Sequence, residues 1–168
     1  MVTIRKGGPD DFQAVIQFFD DAVVWLTERG SEGQWGSKPW SGIPKRVEWL
    51  REMVAGPGVF IAEIDGEPAG ALIVSQQCPD MVTPVDEPEL YIRLLITSRK
   101  HTGNDVGGHL IRHSLAEAER LGVGLLRVDC WAGGDGDLVR YYEGQGFTPT
   151  FQFDHQGWIG QVFDRRLP

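Results

Sequence analysis

The sequence predicts an α/β fold in a single domain spanning residues 1–168. Three observations carry that expectation. Apolar residues switch between helical spacing and short β-prone runs along the whole chain. A hydrophobic content of 41% and a charged content of 24% are ordinary globular values, and the length suffices to bury a core without disulfides or metal. The segment from Leu90 to Ile111 reads as an apolar strand, a basic turn and the glycine-bearing start of an amphipathic helix.

Taken in order, Val2 to Arg5 is β-prone and is stopped by Gly7, Gly8 and Pro9. Pro9 and Asp10 open a helix whose apolar positions Phe12, Val15, Ile16, Phe19, Val23 and Leu26 share one face, and Gly30 closes it. Ser31 to Gly42 has the composition of a loop. Pro44 starts a second helix through Val47, Leu50, Met53 and Val54. Val59 to Ile64 and Ala69 to Val74 are strands around the hairpin residues Asp65 and Gly66. Cys78 to Pro88 holds three prolines and is a loop before the strand Leu90–Thr97.

A helix then follows the glycine turn, with Val106, Leu110, Leu115, Ala118 and Leu121 on one face. Leu125 to Trp131 is a buried strand, Leu138 to Glu143 a short helix, and Phe147–Phe153 and Trp158–Arg165 the last two strands. The order is β-α-α-β-β-β-α-β-α-β-β.

Composition narrows function. The formal charge is −8 with no block of like charges, which argues against nucleic acid or an anionic membrane as partner. It leans towards a cationic partner, or is a solubility feature. Neither Cys78 nor Cys130 has metal-ligand spacing, and Cys130 reads as a small buried hydrophobe. His101, His109, His113 and His155 make no metal set, so no metal is expected. The N-terminus has no basic segment followed by an apolar one, and no apolar run approaches the roughly 20 residues a bilayer requires. A cytoplasmic location is the expectation.

The Leu90–Ile111 segment carries the chemistry. A helix that begins after a strand leaves backbone N–H groups unpaired at the positive end of its dipole, which suits an anion. Gly103, Gly107 and Gly108 remove Cβ atoms that would keep a phosphate away, and Arg99, Lys100 and His101 add positive charge. The glycines fit neither a nucleotide P-loop nor the G-x-G-x-x-G spacing of dinucleotide folds.

This segment, the element order and the run Tyr141–Phe147 (Tyr-Tyr-Glu-Gly-Gln-Gly-Phe) together resemble the GCN5-related N-acetyltransferase (GNAT) superfamily. The resemblance implies a mixed, mostly antiparallel sheet of six to seven strands with splayed central strands and about four helices. It implies acetyl-CoA as co-substrate and direct acetyl transfer to a primary amine. The pantetheine arm would lie along Leu95, Ile96 and Thr97. The diphosphate would sit on the turn Thr102, Gly103, Asn104, Asp105, Val106, Gly107 and Gly108, with Asp135 near the family's usual asparagine. Tyr142 falls on the tyrosine that protonates the departing thiolate.

The chemistry needs few groups: a base for the acceptor ammonium, a donor for the oxyanion and an acid for the thiolate. No carboxylate matches the family's base position, where this chain has Arg93. Glu89, on the same strand face as Tyr91 and Arg93, is the expected base, with Glu63 and Asp129 as other candidates. Arg93 is either a salt-bridge partner or an acceptor-site cation. The family's Arg or Gln and its first motif glycine are replaced by Thr102 and Asp105. Asp105 either opposes the diphosphate, at about 4 kcal/mol for a charge pair at 4 Å, or caps the helix.

Trp35 and Trp40, in the Ser31–Gly42 loop, line an acceptor pocket, form a lid or a homodimer contact, or simply pack. The acceptor is read as a small amine, with a cationic one favoured by the acidic balance. Two alternatives stand beside the enzyme: a CoA-binding regulatory protein without turnover, and an interaction module on the same fold.

Overall fold

The protein is described over residues 1–168 by a computed structural model. Its strands are β1 (Val2–Lys6), β2 (Val59–Ile64), β3 (Glu67–Ser75), β4 (Leu90–Thr97), β5 (Leu125–Trp131), β6 (Thr148–His155) and β7 (Trp158–Arg166). Its α-helices are α1 (Phe12–Glu28), α2 (Pro44–Ala55), α3 (Val106–Leu121) and α4 (Asp137–Gly144). The sheet order is β1-β2-β3-β4-β5-β7-β6. β4 and β5 run parallel, and the β1·β2, β2·β3, β5·β7 and β7·β6 pairs are antiparallel. This is the mixed, mostly antiparallel sheet expected. The β4·β5 ladder spans only Leu90–Ile92 and Leu126–Val128, although both strands run on. The chain falls into two compact units, Met1–Val74 with Leu94–Leu110, and Ser75–Arg93 with Ile111–Pro168.

In the first unit, α1 turns Phe12, Val15, Ile16, Phe19 and Val23 inwards, as their spacing dictates. They pack with Leu50 and Val54 of α2 and with Ile61, Ile73, Leu94 and Ile96 of the strands. Before α1 the chain makes a 3-10 turn at Pro9–Asp11, where Asp11 accepts from the Gly8 N–H at 2.9 Å. The Arg5 guanidinium binds the same carboxylate at 2.8 and 3.1 Å, holding it below the usual carboxylate range. Asp65 and Gly66, at φ 52° and 78°, supply the left-handed pair of the expected two-residue hairpin turn.

Of the alternatives open for Trp35 and Trp40, the structure shows packing. Trp40 starts a 3-10 turn, is only 7% exposed, and stacks on Phe19 with centroids 3.9 Å apart. Trp35 is half-buried, edge-on to Phe19 at 5.1 Å, and its carbonyl accepts from Trp40 Nε1 and Arg46. These residues belong to the α1–α2 core. Local composition reads as a loop, but two indoles carry enough apolar surface to fold it down.

In the second unit, β5 and β7 pair over seven positions, from Leu125↔Arg166 to Trp131↔Gly160. Strand alternation sorts the side chains of β5. Val128 lies opposite Phe163, whose ring packs against Tyr142 of α4 at 5.5 Å. Asp129 lies opposite Val162, which clusters with Tyr91 and Val82 of the Cys78–Pro88 loop. One face of β5 is thus covered by α4 and the other by a proline-bearing loop.

Because Trp40 is core, Trp40→Ala is expected to lower stability by about 3–5 kcal/mol. Urea denaturation monitored by far-UV circular dichroism checks this; a loss under about 1 kcal/mol would return Trp40 to the surface.

Candidate active site

The end of β4 and the turn beyond it lie in the first unit. Leu94 and Ile96 face its core, leaving Leu95 and Thr97 half-buried on the other side of the strand. Ser98 ties the strand end down by donating its N–H to Ala69 at 2.8 Å. Its hydroxyl then caps the 3-10 turn Arg99–His101 by accepting from Lys100. The Arg99 guanidinium is spent on the Trp25 ring, 3.8 Å from the centroid, and His101 lies 3.8 Å from Glu67. The Thr102 hydroxyl donates to the Arg99 carbonyl, and the Asn104 amide to that of His101. The start of α3 is seated on β3 at Gly70, where a Cβ would lie 2.8 Å from Val106 and 3.1 Å from Leu110.

Asp105 has turned onto the helix it precedes. Its backbone is left-handed, φ 54°, and its carbonyl accepts from His109 at 3.0 Å. Its carboxylate lies over Gly108, with one oxygen 2.3 Å from where a Gly108 Cβ would stand. The carboxylate thus stands over the first turn of α3, where negative charge is favoured and where an anion would bind. The absence of a Cβ at Gly108 therefore makes room for the protein's own carboxylate. An incoming anion at these N–H groups has to contend with it.

The second unit holds the polar row. Glu89, just before β4, and Tyr91 and Arg93 within it stand at alternate positions; on β5, Arg127 and Asp129 do the same, with Tyr91 in register with Arg127. Glu89 is buried and grips Arg127 with both oxygens, at 2.7 and 2.8 Å, and Arg127 also donates to the Thr83 carbonyl. This fork-to-fork pair corrects the expectation of Glu89 as base. Both oxygens are committed to a guanidinium that is 1% exposed, and accepting a proton would strand that charge.

Asp129 has a different setting. The Tyr91 hydroxyl donates to it at 2.5 Å from a fully buried ring. Burial pushes its carboxyl above the usual range, while the Tyr91 hydrogen bond and the charges of Arg93 and Arg127 pull it back. Glu63, the other candidate, is paired with Arg5 at 3.1 Å. Tyr91 had no assigned role in the sequence. Its signal was there, as a polar residue at every second position of two otherwise apolar strands.

On the opposite face of β5, Tyr142 is 6% exposed and packs edge-on to Phe147 at 5.8 Å. Burial raises its phenol, so it stays protonated and able to donate. Cys130 shares this face, and burial pushes its thiol up to about 12, which keeps it from being a thiolate nucleophile. Asp135 is exposed and accepts from the Asp137 N–H at 3.2 Å, the N-cap-like role, one residue before the cap Gly136. No group of three or more His, Cys, Asp or Glu is placed to hold a metal ion, and no helix is long and apolar enough to cross a membrane.

A seven-stranded mixed sheet, a glycine turn opening α3 and a buried tyrosine on α4 define an acetyltransferase fold. Residues 21–147 match the model of the acetyltransferase (GNAT) family, and the chain belongs to that family. No curated protein sequence matches it. Among solved structures it is similar to yncA from Salmonella typhimurium, solved with its cofactor acetyl-CoA, at 19% identity over 99% of this chain and 94% of that one, TM-score 0.63. It is similar to a polyamine N-acetyltransferase of Drosophila melanogaster at 14% identity, covering 99% and 100% of the two chains, TM-score 0.68. It is also similar to the ribosomal-protein-S18-alanine N-acetyltransferase of Escherichia coli at 16% identity, covering 99% and 94%, TM-score 0.67. At these identities the likeness speaks for the fold.

The Asp105 geometry gives a paired expectation. Gly108→Ala drives a methyl into the carboxylate and is expected to lower the melting temperature. Asp105→Gly removes the competing charge and is expected to tighten CoA, by about tenfold if a salt-screened repulsion of 1–2 kcal/mol is relieved. Calorimetry with CoA reads the second; unchanged affinity would mean the carboxylate does not contend with the diphosphate.

Proposed function

We propose that the protein transfers an acetyl group from acetyl-CoA to the amine of a small acceptor by direct attack in a ternary complex. Family membership supports the acetyl donor, as does the yncA structure, whose cofactor is acetyl-CoA. The Drosophila and Escherichia coli proteins act, by their names, on polyamines and on a protein's alanine, so amine acceptors of both kinds occur on this fold. The observation that carries the reading is the division of labour across β5. Asp129 stands on one face beside Tyr91, and Tyr142 stands on the other beside Cys130.

Acetyl-CoA supplies the activated acetyl thioester. Backbone groups of Leu95–Thr97 and the turn Thr102–Gly108 are the residues that would hold it. The turn fits an anion in its backbone, and Asp105 must yield a part of that site. An acceptor amine is an ammonium ion at neutral pH and must lose a proton before it attacks. Asp129 takes that proton, its carboxyl made more basic by burial, while the Tyr91 hydrogen bond favours its ionised form. Tyr142 returns a proton from its phenol to the departing thiolate. With the Cys130 thiol held near 12, no acyl-enzyme forms on it.

A second reading, a CoA-binding sensor without turnover, draws on one observation, the Asp105 carboxylate over the first turn of α3.

Thiol release from acetyl-CoA in the presence of an amine panel tests the proposal. Asp129→Asn and Tyr142→Phe are each expected to lower kcat by about 10²–10³-fold with CoA affinity retained. Binding of acetyl-CoA without thiol release from any amine would identify the sensor instead. Full turnover in either variant would remove that residue's role.

A further inference from the structure

We infer that Arg93 selects the acceptor, and that the acceptor is an amine carrying a carboxylate, of the amino-acid type. The inference rests on the function proposed above and deepens it. Arg93 follows Tyr91 by two residues on β4, so its side chain leaves the strand on the same face as the Tyr91–Asp129 bridge. It is half-buried.

What sets it apart is the lack of a partner. Arg5, Arg120, Arg127, Arg140 and Arg166 each meet a carboxylate, while Arg46, Arg51 and Arg99 lie over aromatic rings. Arg93 has no hydrogen bond, ion pair or ring contact; its one charged neighbour is Asp129, which it influences at longer range. A planar guanidinium with five N–H donors is left open beside the proton acceptor.

That fork matches a carboxylate in two parallel hydrogen bonds, and half-burial strengthens the match relative to open water. A zwitterion satisfies both groups at once: its nitrogen goes to Asp129 and its carboxylate to Arg93. A polyamine does neither well, because its second ammonium would face a fixed positive charge. The net charge of −8 draws cations from a distance, but discrimination at the reacting nitrogen is set by the nearest charge.

The test compares kcat/KM for matched acceptors, such as phenylalanine and phenethylamine, which differ by the carboxylate, at saturating acetyl-CoA. The wild-type protein is expected to favour the carboxylate partner by about 10- to 100-fold, the scale of a charge-assisted hydrogen-bond pair. Arg93→Gln is expected to collapse that ratio, chiefly through KM, and Arg93→Lys to retain part of it. A wild-type protein that acetylates the decarboxylated amines equally well or better would overturn this inference while leaving the acetyltransferase reading intact. So would a ratio that Arg93→Gln leaves unchanged. Transfer to no amine at all would overturn both.

Discussion

The parallel ladder between β4 and β5 is three residue pairs long, and two side-chain bridges hold the strands together across it. Glu89 to Arg127 closes one end and Tyr91 to Asp129 the other. Neither bridge is optional. Arg127 and Tyr91 are essentially inaccessible to water, and a buried guanidinium or phenol without a partner costs several kcal/mol. β5 in turn fixes β7 over seven positions, and Phe163 of β7 braces Tyr142. The position of the candidate proton acceptor therefore follows from the same contacts that make the second unit fold.

The two bridges have opposite consequences for chemistry. In Glu89–Arg127 both carboxylate oxygens are used, and the pair is structural. In Tyr91–Asp129 the acid receives a single donor from a phenol that burial keeps protonated. Burial raises the Asp129 carboxyl above the ordinary range, and the Tyr91 hydrogen bond offsets only part of that rise. Two carboxylates at neighbouring strands thus take different roles because their partners differ in charge.

Much of this was legible in the sequence, and for local reasons. Strands Leu90–Thr97 and Leu125–Trp131 coincide with their apolar runs, and α2 begins at Pro44, where proline suits a first helical turn. The hairpin at Asp65–Gly66 follows from turn chemistry. What failed was non-local. Glu89 was put first among three candidate bases because its partner lies 38 residues away, and no spacing rule reports that pairing. For Trp40 packing was one of several open alternatives, because the composition of its loop does not reveal Phe19 on α1, which buries it. For Asp105 the sequence posed the alternatives, and the left-handed backbone with Gly108 beneath it set the side chain's direction.

On this reading Tyr91 holds Asp129 ready to accept a proton. The direct measurement is the pH titration of the Asp129 carboxyl carbon by NMR, in the wild-type protein and in Tyr91→Phe. The midpoint is expected above the roughly 3.9 of a free aspartate, with a further rise in Tyr91→Phe, because the lost hydrogen bond favours the ionised form. Asp129 would then be the neutral acid over a wider low-pH range in the variant. A midpoint at or below the free value, unmoved by Tyr91→Phe, would contradict it.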